Sequence, residues 1–141
     1  MDATAVPFAR LIGLRRNATG QLELPFSAVV HNHLGTVHAS AQIALAETAS
    51  GDLLVHLFPE WVGKVAPIVR EARAKFRKPA TGTLTAHPAI ADELAGQFRE
   101  QMDKKGHASL TIEVELLNRE GEVTCRAAFD WSIQRIDNRA G

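Results

Sequence analysis

From Leu24 to Gly51 the chain carries one charged side chain, Glu47, counting its histidines as neutral. Within this stretch, His38-Ala39-Ser40-Ala41-Gln42-Ile43-Ala44-Leu45-Ala46-Glu47-Thr48-Ala49 is rich in alanine and poor in β-branched residues, a composition that favours helix. The pattern predicts a helix between about Val37 and Leu57, with Gly51 either ending it or lying inside it. Small residues on nearly every side point to a helix enclosed by other structure rather than one lying on a surface. A lone carboxylate on an enclosed helix is unfavourable unless it is hydrogen-bonded or stands at a cavity.

What surrounds that helix reads as antiparallel sheet. Leu22, Leu24 and Phe26 alternate with polar or turn residues over 21–27, and Pro25 suits a strand end or an edge. Ile68, Arg70, Ala72, Ala74 and Phe76 form one alternating set, with Val69, Glu71, Arg73, Lys75 and Arg77 opposite. A short strand is expected over 81–86. Leu110 to Leu116 and Val123 to Gln134 alternate cleanly, joined by the hairpin signal Asn118-Arg119-Glu120-Gly121. A second helix is predicted over Pro88 to Lys105, with Ile90, Leu94, Phe98 and Met102 as a packing stripe, Pro88 in the first turn and Gly106 as the C-terminal cap. Residues 1–16 carry a short apolar patch, suited to a helical turn lying over the domain.

At 141 residues, 45% hydrophobic and 23% charged, with no repeat or linker-like segment, the chain is expected to be one globular domain spanning residues 1–141. Its 16 basic residues balance 16 acidic ones, which gives no reason to expect nucleic acid or an anionic membrane as partner. The single cysteine, Cys125, excludes an intrachain disulfide and a cysteine-rich metal site. No apolar run reaches the ~20 residues of a membrane span. Met1 to Pro7 lacks a basic region followed by an apolar stretch, so the cytoplasm is the expected location. An open sheet edge and an exposed face would be covered by a second copy, as a homodimer or homotetramer.

Chemistry centres on Glu47. Partial burial would raise its pKa toward the range in which a carboxylate takes a proton at neutral pH; the alternative is a solvent-facing glutamate on an amphipathic helix. Upstream lie His31, His33 and His38. In extended chain His31 and His33 point to opposite faces, with no acidic or cysteine ligand nearby in sequence, so no metal is expected. The same loop delivers the chain to the N-terminus of the Glu47 helix, where free backbone N–H groups and the helix dipole suit a developing oxyanion.

The run from Asn32-His33-Leu34-Gly35-Thr36-Val37-His38 through Ala44-Leu45-Ala46-Glu47 resembles the signature of PaaI-like hotdog-fold thioesterases. The likeness is greatest to the DUF4442, or YiiD C-terminal-like, subgroup. Ala74-Lys75-Phe76-Arg77-Lys78-Pro79-Ala80-Thr81-Gly82-Thr83-Leu84-Thr85-Ala86 resembles a second segment of that family, and the likeness covers roughly residues 20–135. It implies an α+β hotdog fold, an antiparallel sheet of about five to six strands wrapped around a central helix, and hydrolysis of an acyl-CoA or acyl-carrier thioester. By the same resemblance Glu47 is the general base or nucleophile, Asn32 positions the attacking water or the thioester, His38 opens the helix and the Ala39 backbone N–H polarises the carbonyl. Ala39-Ser40 stands where many members have Gly-Gly, which bears on acyl preference and rate. Arg77 and Lys78 become candidate contacts for the CoA phosphates, while Arg70, Arg73 and Lys75 suit an ordinary solvated strand face. No cofactor is implied beyond the CoA of the substrate.

Two other functions fit parts of the pattern. A hydroxyacyl-thioester dehydratase or hydratase would pair His33 with Glu47 fourteen residues on, but the Pro/Gly-rich segment expected between them is missing. A non-catalytic acyl-CoA-binding module would tolerate the altered Ala39-Ser40 pair.

Overall fold

The secondary structure follows the apolar periodicity, with departures where packing overrides it. A computed structural model describes residues 1–136; residues 137–141, included in the expected domain, lie outside the described residues. A 3₁₀ turn at Ala3–Ala5 and helix α1 (Pro7–Leu11) lead into the short strands β1 (Arg15–Arg16) and β2 (Leu22–Leu24). Pro25, lacking an N–H, closes β2 earlier than its alternation suggested. After a 3₁₀ turn at Ala28–Val30 comes the long helix α2 (Ala39–Leu57). Strands β3 (Val65–Phe76) and β4 (Leu84–Ala89), helix α3 (Asp92–Lys105), and strands β5 (His107–Leu117) and β6 (Val123–Arg135) complete the order.

All pairings are antiparallel, giving one six-stranded sheet in the order β1-β2-β4-β5-β6-β3. Helix α2 lies across the inner face, where Leu45, Ala46, Ala49 and Ser50 are buried against Leu24, Leu84, Ile112 and Phe129 in one core. Its opposite side is only half-covered: Ile43, Ala44, Glu47 and Thr48 are half-buried, and Ala39 and Ser40 are exposed. The expected enclosure is therefore met on the sheet side alone. Among the described residues no helix is long and apolar enough to cross a membrane.

Three elements depart from the expectation. Gly51 does not end α2: a Cβ there would meet the Trp131 ring at 3.4 Å, so this glycine serves close approach of β6 to the helix. Pro88 belongs to β4, opposite Val114, and not to the second helix. Strand β2 pairs only with Leu84 and Thr85, leaving the other side of β4 free at Pro88, where a missing N–H is harmless. In β3 the register shifts between Val69 and Glu71, an irregularity at Arg70. Pro67 and Val69 consequently share the inner face with Ala72, Ala74 and Phe76, and the single alternating set predicted from Ile68 to Phe76 is split in two. Strand β3 is one of the two sheet edges, β1 being the other, and its Ile68 and Phe76 remain 55% and 44% exposed.

Candidate active site

The two segments singled out in the sequence meet in space. Val37 N–H donates to the Ala80 carbonyl at 2.8 Å, and both residues are buried, so the loop before α2 is stitched to the loop after β3. Asn32 shapes the first loop: its Oδ1 accepts from the N–H groups of Leu34 (2.9 Å) and Thr36 (3.1 Å), and its Nδ2 donates to Thr36 Oγ1 (2.8 Å). One Nδ2 hydrogen is left over. These bonds hold the turn that leads the chain toward α2.

His38 is the N-cap of α2. Ser40 N–H donates to His38 Nδ1 at 3.0 Å, which in the neutral ring places the proton on Nε2. Its carbonyl accepts from Ala41 and Gln42, so the N–H groups of residues 40–42 are all engaged. Ala39 differs. As the first residue of α2 its N–H has no intrahelical acceptor, none is found elsewhere among the described residues, and the residue is exposed. The helix therefore presents one free, dipole-assisted donor at its start.

Glu47 sits about two turns further along. It is half-buried, and removal from water pushes its carboxyl pKa up from the ordinary value. Its carboxylate has no hydrogen-bond or ion-pair partner among the described residues, so no local charge offsets the burial. It lines a half-open apolar pocket of about 250 Å³ running along the C-terminal half of α2, past Gly51, Leu54 and Phe58, and flanked by Trp61, Phe98 and Trp131, with Met1, Ala3 and Val6 at its rim. Glu47 is the only acidic or basic side chain on this wall among the described residues. Glu47 thus stands between the enclosed and the solvent-facing alternatives, half-covered at the edge of the pocket.

Sequence reasoning missed the cavity. Its helix wall, Glu47, Gly51 and Leu54 of α2 with Phe58 at the C-cap, has helical spacing but was not singled out in the sequence, and Trp61, Phe98 and Trp131 come from three other segments. Trp131 Nε1 donates to Ser50 Oγ (3.0 Å), whose hydroxyl donates to the Glu47 carbonyl (2.7 Å), so the indole is fixed to the turn that bears the carboxylate.

The cationic candidates separate. Lys78 is ion-paired with Glu122, while Arg77 is exposed and has no acidic partner among the described residues. Arg73 is held by Asp130 at 3.0 Å and Glu71 at 3.4 Å, an ordinary sheet-surface network. His33 is exposed on the loop, and His31 packs its ring on Phe26 with Nε2 buried and unpartnered. Among the described residues no cluster of three His, Cys, Asp or Glu could hold a metal ion.

A six-stranded antiparallel sheet laid over one long helix, with the helix start and a mid-helix carboxylate facing away from the core, is the hotdog architecture. The chain belongs to the DUF4442 family, a domain of unknown function whose model matches residues 6–133. Among solved structures it is similar to PA5026 of Pseudomonas aeruginosa, a protein of unknown function described as "Probable Thioesterase". The two are 26% identical over 95% of this chain and 91% of that one, with a TM-score of 0.82. A protein of unknown function from Chlorobaculum tepidum superposes with a TM-score of 0.83 at 18% identity, over 95% of this chain and 90% of that one. The BH2602 protein of Bacillus halodurans, solved with CoA, gives 0.71 at 19% identity, over 92% of this chain and 76% of that one. No curated protein matches the sequence.

Proposed function

We propose that this protein is an acyl-CoA thioesterase in which Glu47 acts on a carbonyl polarised by the Ala39 N–H. The observation that carries this reading is the pairing of an unpartnered, half-buried carboxylate with an apolar cavity, on the helix whose first N–H is free. Glu47 serves as general base toward water or attacks the thioester carbon directly. In either case the thiolate of CoA leaves and water supplies the hydroxyl of the free acid.

One helix cannot bring both groups to one carbonyl. Eight residues separate Ala39 from Glu47, about 12 Å along the axis at ~1.5 Å per residue. The site is therefore composite, with Ala39 from one protomer and Glu47 from its partner in a homodimer or homotetramer. Strand β3 supplies the means: an unpaired edge bearing exposed Ile68 and Phe76 invites a second copy. Asn32 keeps the loop in place and offers its remaining Nδ2 hydrogen, while His38 fixes the helix start.

The Val37–Ala80 stitch brings the Arg77-Lys78 loop close to the N-terminus of α2, which suits contact with the CoA phosphates. Arg77 is the freer cation; Lys78 must leave Glu122 to take part. Arg77→Ala is expected to raise KM for acyl-CoA roughly fivefold with kcat retained, the scale of an exposed charge pair. The effect should shrink as salt is added. The decisive assay is release of free thiol from a panel of CoA and carrier-protein thioesters, beside hydration of crotonyl-CoA. Hydrolysis with no hydration supports the proposal. Tight acyl-CoA binding with no turnover on any substrate would replace it with a binding module.

A further inference from the structure

We propose that the acyl group accommodated beside Glu47 is an apolar chain of medium length, about eight to ten carbons, with Gly51 and Trp131 setting its depth. This rests on the reading of Glu47 as the carboxylate at the thioester, and adds the substrate class. The size follows from the cavity of about 250 Å³. Benzene, with six carbons, occupies a protein cavity of about 150 Å³, so about 25 Å³ serves each carbon and about ten carbons fill this space. An acetyl group would leave most of it empty, and a sixteen-carbon chain exceeds it.

Hydrogen bonds hold the part of the wall nearest Glu47. Glu47 is the most N-terminal of the α2 residues on the wall, so a chain whose carbonyl lies at Glu47 runs toward Phe58. There Phe58, Trp61 and Phe98 form a cluster with ring centroids 4.9–5.7 Å apart. Along the way Trp131 is held by Ser50, and Ser50 by the Glu47 carbonyl, so wall and carboxylate keep one spacing. Gly51 is the thin point of this wall, the only lining residue of α2 without a side chain. Any side chain there enters the space beside the indole.

The test uses S-alkyl-CoA thioethers from ethyl to hexadecyl, which carry no cleavable carbonyl, titrated calorimetrically into the full chain. Affinity is expected to rise up to about fourfold per methylene as each is buried, then to level off at about eight to ten carbons. Gly51→Leu, and independently Val55→Phe, should move that break to shorter chains, with circular dichroism confirming the helix content. An affinity that is flat from ethyl to octyl, or that climbs at one slope to hexadecyl, overturns the inference. So does a break that stays in place in both folded variants. Because binding is read without hydrolysis, an intact break in a protein that cleaves no thioester would sink the thioesterase reading alone.

Discussion

Glu47→Gln is expected to lower thioester turnover by at least about 10²-fold while leaving acyl-CoA affinity and the fold nearly intact. An oriented general base contributes about 10²–10⁴ in rate, and glutamine keeps the size of the side chain while losing its ability to take a proton or attack carbon. The same substitution should make the protein more stable at neutral pH. Burial raises the carboxyl pKa in the folded chain above its unfolded value, so the folded state binds the proton more tightly. The stability this contributes is fully present below the unfolded pKa and is lost as pH rises through the folded one. Above the folded pKa the native protein holds an ionised, poorly solvated carboxylate, and the neutral glutamine removes that penalty. Urea denaturation should show the variant more stable at neutral pH, with the gap closing as pH falls below the ordinary glutamate range. The acid limb of kcat/KM for thioester hydrolysis should lie above an ordinary glutamate for the same reason. Native turnover by the variant, or a stability gap independent of pH, would remove Glu47 from the mechanism.

Why Glu47 was legible in the sequence, and its cavity was not, has a physical basis. A lone charge in a long uncharged stretch is visible in one dimension, because the unfavourable burial of a carboxylate needs no knowledge of neighbours. Helix α2 was likewise visible from alanine content, although local propensity could not decide Gly51: what packs on it is the Trp131 ring, from a strand eighty residues away. The face of β3 was misread because alternation assumes an uninterrupted pleat, and the shift at Arg70 is a property of pairing with β6. Pro88 was misplaced because a proline serves equally at a helix start and on a free strand edge, and only the short reach of β2 distinguishes them. The cavity needs side chains from the N-terminal segment, α2, the segment after it, β3, α3 and β6, which no single periodicity contains. Asn32, His38 and Ala39 were placed in the sequence by resemblance; what the structure adds is that the first two have local partners and the third has a free N–H.

That free N–H sets up the second large effect. Ala39→Pro is expected to lower thioester turnover by about 10²–10³-fold, the loss associated with one oxyanion donor, with stability within about 0.5 kcal/mol of the native protein. Proline is tolerated at the first helical position, where no intrahelical bond is lost. The preceding residue, His38, already has φ −62° and ψ 139°, the conformation a following proline demands. Ala39→Gly, which keeps the N–H, serves as the control and should retain turnover within a few-fold. The two inactive variants also test where the halves of the site come from. If Ala39 of one protomer works with Glu47 of its partner, a mixed dimer of Ala39→Pro and Glu47→Gln contains one intact site and one doubly impaired site. Refolding the two together in equal amounts should then restore about a quarter of the native rate by two-fold symmetry. If both groups had to come from one chain, every site in the mixture would lack one of them and no activity would return. Recovery would thus show that the ~12 Å that α2 places between its first residue and its carboxylate is bridged by a second copy.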